Sequence, residues 1–119
     1  MNRVIKKVIL TDAPVDPGAT PVISDMKSEK EGATGIAIDF PFTITGENLL
    51  AGGASGKVKM HYKSGAEDRF VFYAPSALSN TSCRVANWPQ PPDRTAMLAR
   101  FSFVAANGKE SNVLTRRLS

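Results

Sequence analysis

Few residues in this chain have the type and spacing to do chemistry. His61 is its only histidine and sits between Lys59 and Lys63 in "KVKMHYK" (57–63). General-base work would need a carboxylate to orient the ring and a nucleophile beside it. Glu67, Asp68 and several serines follow, but no spacing directs them at His61, which reads as a solvated surface side chain. "AGGASGKV" (51–58) approaches a phosphate-binding loop. Such a loop needs a first glycine, a hydroxyl after the lysine and a helix behind it. Ala51 and Val58 occupy those two positions and a strand pattern follows, so the stretch reads as a flexible loop. The acidic pairs in "DAPVD" (12–16) and "AED" (66–68) lack the about six to eight oxygen ligands of a calcium site. Cys83 is the only cysteine, so neither an internal disulfide nor a cysteine zinc site can form. It reads as a small buried hydrophobe in a chain that folds under reducing conditions. Asn80-Thr81-Ser82 matches a glycosylation sequon, which matters only for an exported chain. No enzyme activity, cofactor or metal is expected.

The bulk numbers set the frame. A chain of 119 residues, 42% apolar and 22% charged, forms one domain with a real core. No apolar run approaches the roughly 20 residues of a membrane span. "MNRVIKKVILTDAP" opens with basic residues, but Lys6 and Lys7 interrupt its apolar part, so no signal peptide is expected. Net charge is +4. Arg3, Lys6, Lys7, Arg116 and Arg117 lie at the ends, while residues 8–115 hold ten basic and eleven acidic side chains. Duplex binding needs cations clustered on a folded face. An excess at the ends reads instead as tails that touch an acidic neighbour.

Strand signals dominate the elements that must position all this. In "TGIAIDFPFTITGENL" (34–49), Ile36, Ile38, Phe40, Phe42 and Ile44 fall at every second position. Their burial would contribute about 1.5–3 kcal/mol each, and the alternation predicts one strand forming a core wall. Pro41 cannot donate to a ladder, which predicts an edge strand or a bulge there. "KVKMHYK" alternates Val58, Met60 and Tyr62 with Lys57, Lys59, His61 and Lys63, and "RFVFY" (69–73) follows a Gly65 loop as a hairpin partner. "PVISDM" (21–26), "CRVANW" (83–88), "AMLARFSFV" (96–104) and "NVLTRRL" (112–118) complete the set, the last after an Asn107-Gly108 turn. "SALSNTS" (76–82) reads as one helical turn. About seven strands in residues 20–119 suit a two-sheet β-sandwich. Residues 1–19 form an arm: "RVIKKVIL" (3–10), then the Pro-rich linker "TDAPVDPGATP" (11–21).

The phrases "ITGENLL" (44–50) and "FVAANGKESNV" (104–113) resemble the TIG/IPT group of immunoglobulin-like domains. In that group an Ile-x-Gly-x-Asn-Leu phrase follows an early strand and an Asn-Gly-x-x-Ser hairpin closes the domain. The resemblance covers about residues 20–119 and implies an all-β, immunoglobulin-like two-sheet sandwich, not a function. Such domains are commonly strung within longer chains, whereas a start methionine here opens a single unit. A small stand-alone domain of this kind is similar to phage capsid decoration and auxiliary proteins.

That likeness implies a non-catalytic structural protein docked on a larger assembly, with capsid or other virion proteins as partners and a virion location, or otherwise a cytoplasmic one. Candidate partner-binding residues are Val4, Ile5, Val8 and Ile9, for burial or strand addition against a neighbour, with Lys6 and Lys7 beside them. Arg116 and Arg117 would meet acidic surface. Val71 and Tyr73 belong to a strand apolar on both faces, and Trp88 beside "PQPP" (89–92) is either a core plug or an interface anchor. The alternatives are a carbohydrate- or surface-binding module, which needs exposed aromatics on a flat face, and a nucleic-acid accessory domain acting through the basic ends.

Overall fold

The computed structural model of the chain describes residues 15–32, 35–88 and 98–118. Eight strands follow one another: β1 (Val22–Ser28), β2 (Phe42–Glu47), β3 (Lys57–Ser64), β4 (Glu67–Tyr73), β5 (Ala77–Leu78), β6 (Ser82–Val85), β7 (Leu98–Val104) and β8 (Leu114–Arg117). They form two four-stranded antiparallel sheets, ordered β1-β2-β6-β5 and β4-β3-β7-β8. This is the strand order of an immunoglobulin-like sandwich with one additional strand, β4, beside β3. The all-β, two-sheet expectation is met.

Alternation builds the interior. Phe42 and Ile44 of β2, Val58 and Met60 of β3, Cys83 and Val85 of β6, and Ala99, Phe101 and Phe103 of β7 are all buried. Phe42 meets Phe101 edge to face, with centroids 5.8 Å apart. These residues sit on the two strands that a disulfide joins in antibody domains, so an aromatic contact ties the sheets here instead. Trp88 completes the plug. Its ring lies 5.5 Å from both Phe42 and Tyr73, and its Nε1–H donates to the Phe40 carbonyl at 2.8 Å. Cys83 belongs to this apolar layer, and burial pushes its thiol up to about 12.

The Ile44–Leu49 phrase has a physical reading, residue by residue. Ile44 fills the core. At Gly46 a Cβ would overlap the Val22 carbonyl oxygen of β1, so only glycine lets the two strands approach. Asn48 takes a left-handed backbone (φ +59), which Asn tolerates better than most residues, and its amide donates to the Thr20 carbonyl. Leu49 then turns fully into the core. The closing phrase works similarly. Gly108 alone adopts a positive φ in its turn, Asn107 donates to the carbonyls of Pro17 and Ala19, and Ser111 Oγ accepts from Phe103 N–H.

Three expectations need correction. The 36–44 run is not one strand. Asp39 adopts φ +70, which breaks the pleat, and Pro41 has no N–H and offers only its carbonyl, to Glu29 N–H at 2.9 Å, so the strand starts at Phe42. Phe42 and Ile44 are buried on β2 and Ile36 is buried through a separate bridge to Leu118, but Ile38 is half-buried and Phe40 is 41% exposed. Nor is the strand after Pro41 an edge or bulged: β2 lies between β1 and β6, and the irregularity falls on β1 between Ile23 and Asp25. Residues 76–82 make no helical turn. Ala77 and Leu78 pair with β6, and Ser79 N–H donates to the Ser82 carbonyl at 2.8 Å, which adds the eighth strand.

Candidate interaction surface

The β3–β4 hairpin turns through Gly65 and Ala66, with Ser64 opposite Glu67 and Gly65 at φ +67. Glycine at the first position of a two-residue loop is the requirement of a tight hairpin whose twist matches its strands. This register decides which side chains face out. Met60 opposes Val71 and Val58 opposes Tyr73, and all four carry inward parity. Lys59 opposes Phe72, His61 opposes Phe70 and Lys63 opposes Asp68, all outward. On the other side of β3, Lys59 opposes Ser102 and His61 opposes Arg100. Arg100 opposes Thr115 and Leu98 opposes Arg117.

The outer face of this sheet therefore gathers Phe70, Phe72, Leu98 and Val113, each half or more exposed at 54%, 51%, 61% and 50%. Cations interleave with them: Lys57, Lys59, Lys63, Arg100 and Arg117, against the carboxylates of Asp68 and Glu110. The centre is tied by side chains. His61 stacks on Phe70 at 4.5 Å with planes 11° apart, and Lys59 Nζ lies 5.2 Å from the same ring. His61 Nε2 pairs with Asp68 Oδ1 at 2.9 Å, a bond that holds the Asp68 carboxyl below its ordinary value, with Lys63 assisting. Ser102 Oγ donates to Glu110 Oε2 at 2.6 Å and Lys59 reaches Glu110 Oε1 at 3.4 Å; the first bond contributes most to lowering the Glu110 carboxyl. A groove of about 370 Å³ runs along His61, Lys63, Leu98, Arg100 and Thr115.

His61 thus differs from its expected solvated state: the hairpin register, not sequence spacing, delivers Asp68 to it. The pair has the base and the orienting carboxylate but no hydroxyl or thiol within its hydrogen-bonding reach among the described residues. Those residues also contain no cluster of three or more His, Cys, Asp or Glu able to hold a metal ion. The Ala51–Val58 loop carries no helix behind it; β3 follows directly.

The candidate residues are distributed differently from expectation. Val4, Ile5, Lys6, Lys7, Val8 and Ile9 lie outside the described residues. Tyr73 is fully buried and Val71 half-buried against the core, so the outward pair on that strand is Phe70 and Phe72. Trp88 is 7% exposed and serves as a core plug, not a surface anchor. Arg116 turns across the sandwich to Asp25 at 3.4 Å, while Arg117 remains on the outer face opposite Leu98. Phe70 and Phe72 were legible in principle, because an inward Met60 in a two-residue hairpin forces Val71 inward too. Leu98 and Arg100 are outward by the same parity against Ala99, Phe101 and Phe103, but nothing in the sequence set them beside β3 and β4.

No protein-family model matches the chain, and no curated protein matches it in sequence.

Proposed function

We propose that this chain is a non-catalytic structural and interaction protein that docks on a larger assembly through the outer face of the β4-β3-β7-β8 sheet. One observation carries the reading. Of the six large apolar side chains exposed among the described residues, four lie on this face, amid five cations and two carboxylates. Apolar groups that gather on one face of a soluble domain mark contact surfaces, and a cationic setting selects an acidic partner surface. The TIG/IPT resemblance suggests the assembly: a phage virion, with the chain as a capsid decoration or auxiliary protein. The arm side chains Val4, Ile5, Val8 and Ile9 would add a second attachment by burial or strand addition. The decisive experiment isolates the native particle carrying the chain and then its Leu98→Asp/Arg100→Glu variant. The variant is expected to fold and to be lost from the particle; a variant retained at full occupancy overturns the reading.

A second reading, binding of a single-stranded polyanion, is favoured by the interleaving of Phe70, Phe72 and His61 with lysines, since bases stack on exposed rings beside cations. It predicts retention on a single-stranded oligonucleotide resin that falls steeply with salt. Absence of retention at low salt dismisses it. A carbohydrate platform built on Trp88 and Tyr73 is discounted by their burial.

A further inference from the structure

Every open sheet must do something with its edges, because unpaired strand backbone is a template for another chain. Three of the four edges of this sandwich are blunted. β1 is bulged between Ile23 and Asp25, and the Asn112 side chain takes both main-chain groups of Ile23, accepting from its N–H at 2.8 Å and donating to its carbonyl at 2.9 Å. β5 is two residues long. β8 is covered by residue 36, whose N–H donates to the Arg117 carbonyl at 2.9 Å beside a parallel bridge to Leu118. β4 is the exception. It runs seven residues without a bulge or proline, and no described segment pairs with its far side.

The hairpin register fixes which β4 groups are available. In a two-residue hairpin the flanking pair is hydrogen-bonded, and bonded and non-bonded pairs then alternate. Glu67, Arg69, Val71 and Tyr73 therefore aim their main-chain groups at β3. Asp68, Phe70 and Phe72 aim theirs outward.

We infer that β4 is a self-pairing edge: two copies of this chain join their β4 strands antiparallel about a two-fold axis at Phe70, fusing two four-stranded sheets into one of eight. This register sets Phe70 opposite the partner's Phe70 and Asp68 opposite the partner's Phe72. It uses every outward main-chain group of the strand, whereas an axis at Arg69 would oppose that cation to itself. Charge selects the antiparallel sense. Antiparallel pairing about Phe70 sets Glu67, Asp68 and Arg69 opposite the partner's Tyr73, Phe72 and Val71, so no charged residue of the strand meets its own counterpart. A parallel pairing would stack like on like. The two-fold also closes, so the exposed edge makes a dimer and not a fibre. The inference concerns the strand edge and does not rest on docking through the sheet face.

Sedimentation of the purified full-length chain, with no partner present, tests it. The unaltered chain is expected to form a reversible dimer. Phe70→Pro removes a donor that β3 does not use, and should lower the association constant at least about tenfold, because both symmetry-related N–H groups are lost. Phe70→Cys gives an independent readout. Hydrogen-bonded antiparallel partners stand about 5.5 Å apart at Cα, within disulfide range, so mild oxidation should yield a covalent dimer while buried Cys83 stays unreacted. A monomeric unaltered chain overturns the inference, as does a dimer that survives Phe70→Pro and fails to cross-link. A dimer abolished by Ile5→Pro/Ile9→Pro would also overturn it, by naming the arm as the occupant of the edge.

Discussion

The two sheets share one interior and turn different surfaces outward. On β1-β2-β6-β5 the outward positions are Asp25, Lys27, Thr43, Thr45, Glu47, Ser82 and Arg84, short or charged side chains in matched register, with Val22 opposite Glu47 the one exposed large apolar side chain among them. Arg84 grips Glu29 at 2.6 and 3.0 Å. On β4-β3-β7-β8 the corresponding positions hold two phenylalanines, a leucine and a row of cations. The inward rule is the same in both sheets, since each must bury its alternate residues. The outward positions carry no folding demand of that size, so they are free to differ. One sheet turns mostly polar side chains outward, and the other turns apolar and cationic ones outward.

The largest effect that tests this contrast comes from the shared interior. Phe42→Ala should cost about 3–5 kcal/mol in denaturant unfolding, the usual penalty for a buried phenylalanine. Phe70→Ala, the same side chain but outward, should cost only about 0.5–1.5 kcal/mol, the worth of its stacking on His61. Equal losses would mean that the outer face is part of the core under some covering element. Next comes Gly46→Ala, where the added methyl meets β1 backbone; a loss of about 1–3 kcal/mol is expected, and a neutral result would show that β1 can shift outward freely.

Surface swaps sharpen the comparison further. Thr43→Lys on the polar sheet and Leu98→Asp on the apolar one should each leave unfolding within about 0.5 kcal/mol, yet under the proposed docking only the second should change association with a particle that carries the chain. Identical association for both would erase the distinction between the faces.

The smallest effect is electrostatic and common to both sheets. Glu29 is held below its ordinary 4.5, first by its hydrogen bond from Arg84, and Asp68 below 3.8, first by its bond to His61. A carboxyl lowered in the folded state adds stability above its ordinary value and loses it as pH falls through the folded one. Acid unfolding should therefore become slightly shallower in Glu29→Gln and Asp68→Asn, and carboxyl resonances should show Asp68 titrating below 3.8. Titration at or above that value would mean that the His61–Asp68 bond does not persist in solution. Thiol labelling offers a control for the interior: with Cys83 buried and raised to about 12, it should react only on unfolding.

What was readable from the amino-acid order is the period. Val58, Met60 and Tyr62, or Ala99, Phe101 and Phe103, announce strands and the inward face because the pleat repeats every two residues. The Gly65 loop announces the hairpin, and the Ile44–Leu49 phrase announces a glycine, an asparagine and a leucine whose backbone and burial needs the fold then shows. Period alone could not show where pairing stops. In 36–44 the alternation continues past Asp39 and Pro41 although the strand does not, because a positive φ and a missing donor act on the backbone while the side-chain pattern stays unchanged. Nor could it assign neighbours: Asp68 reaches His61, Glu110 reaches Lys59, and Phe70, Leu98 and Val113 share one face only because sheet order puts β4 and β8 on either side of β3 and β7. Local order sets which way each side chain points along its own strand; the packing of strands distant in the chain decides which of those side chains become one surface, because that choice is made by the burial of the opposite face.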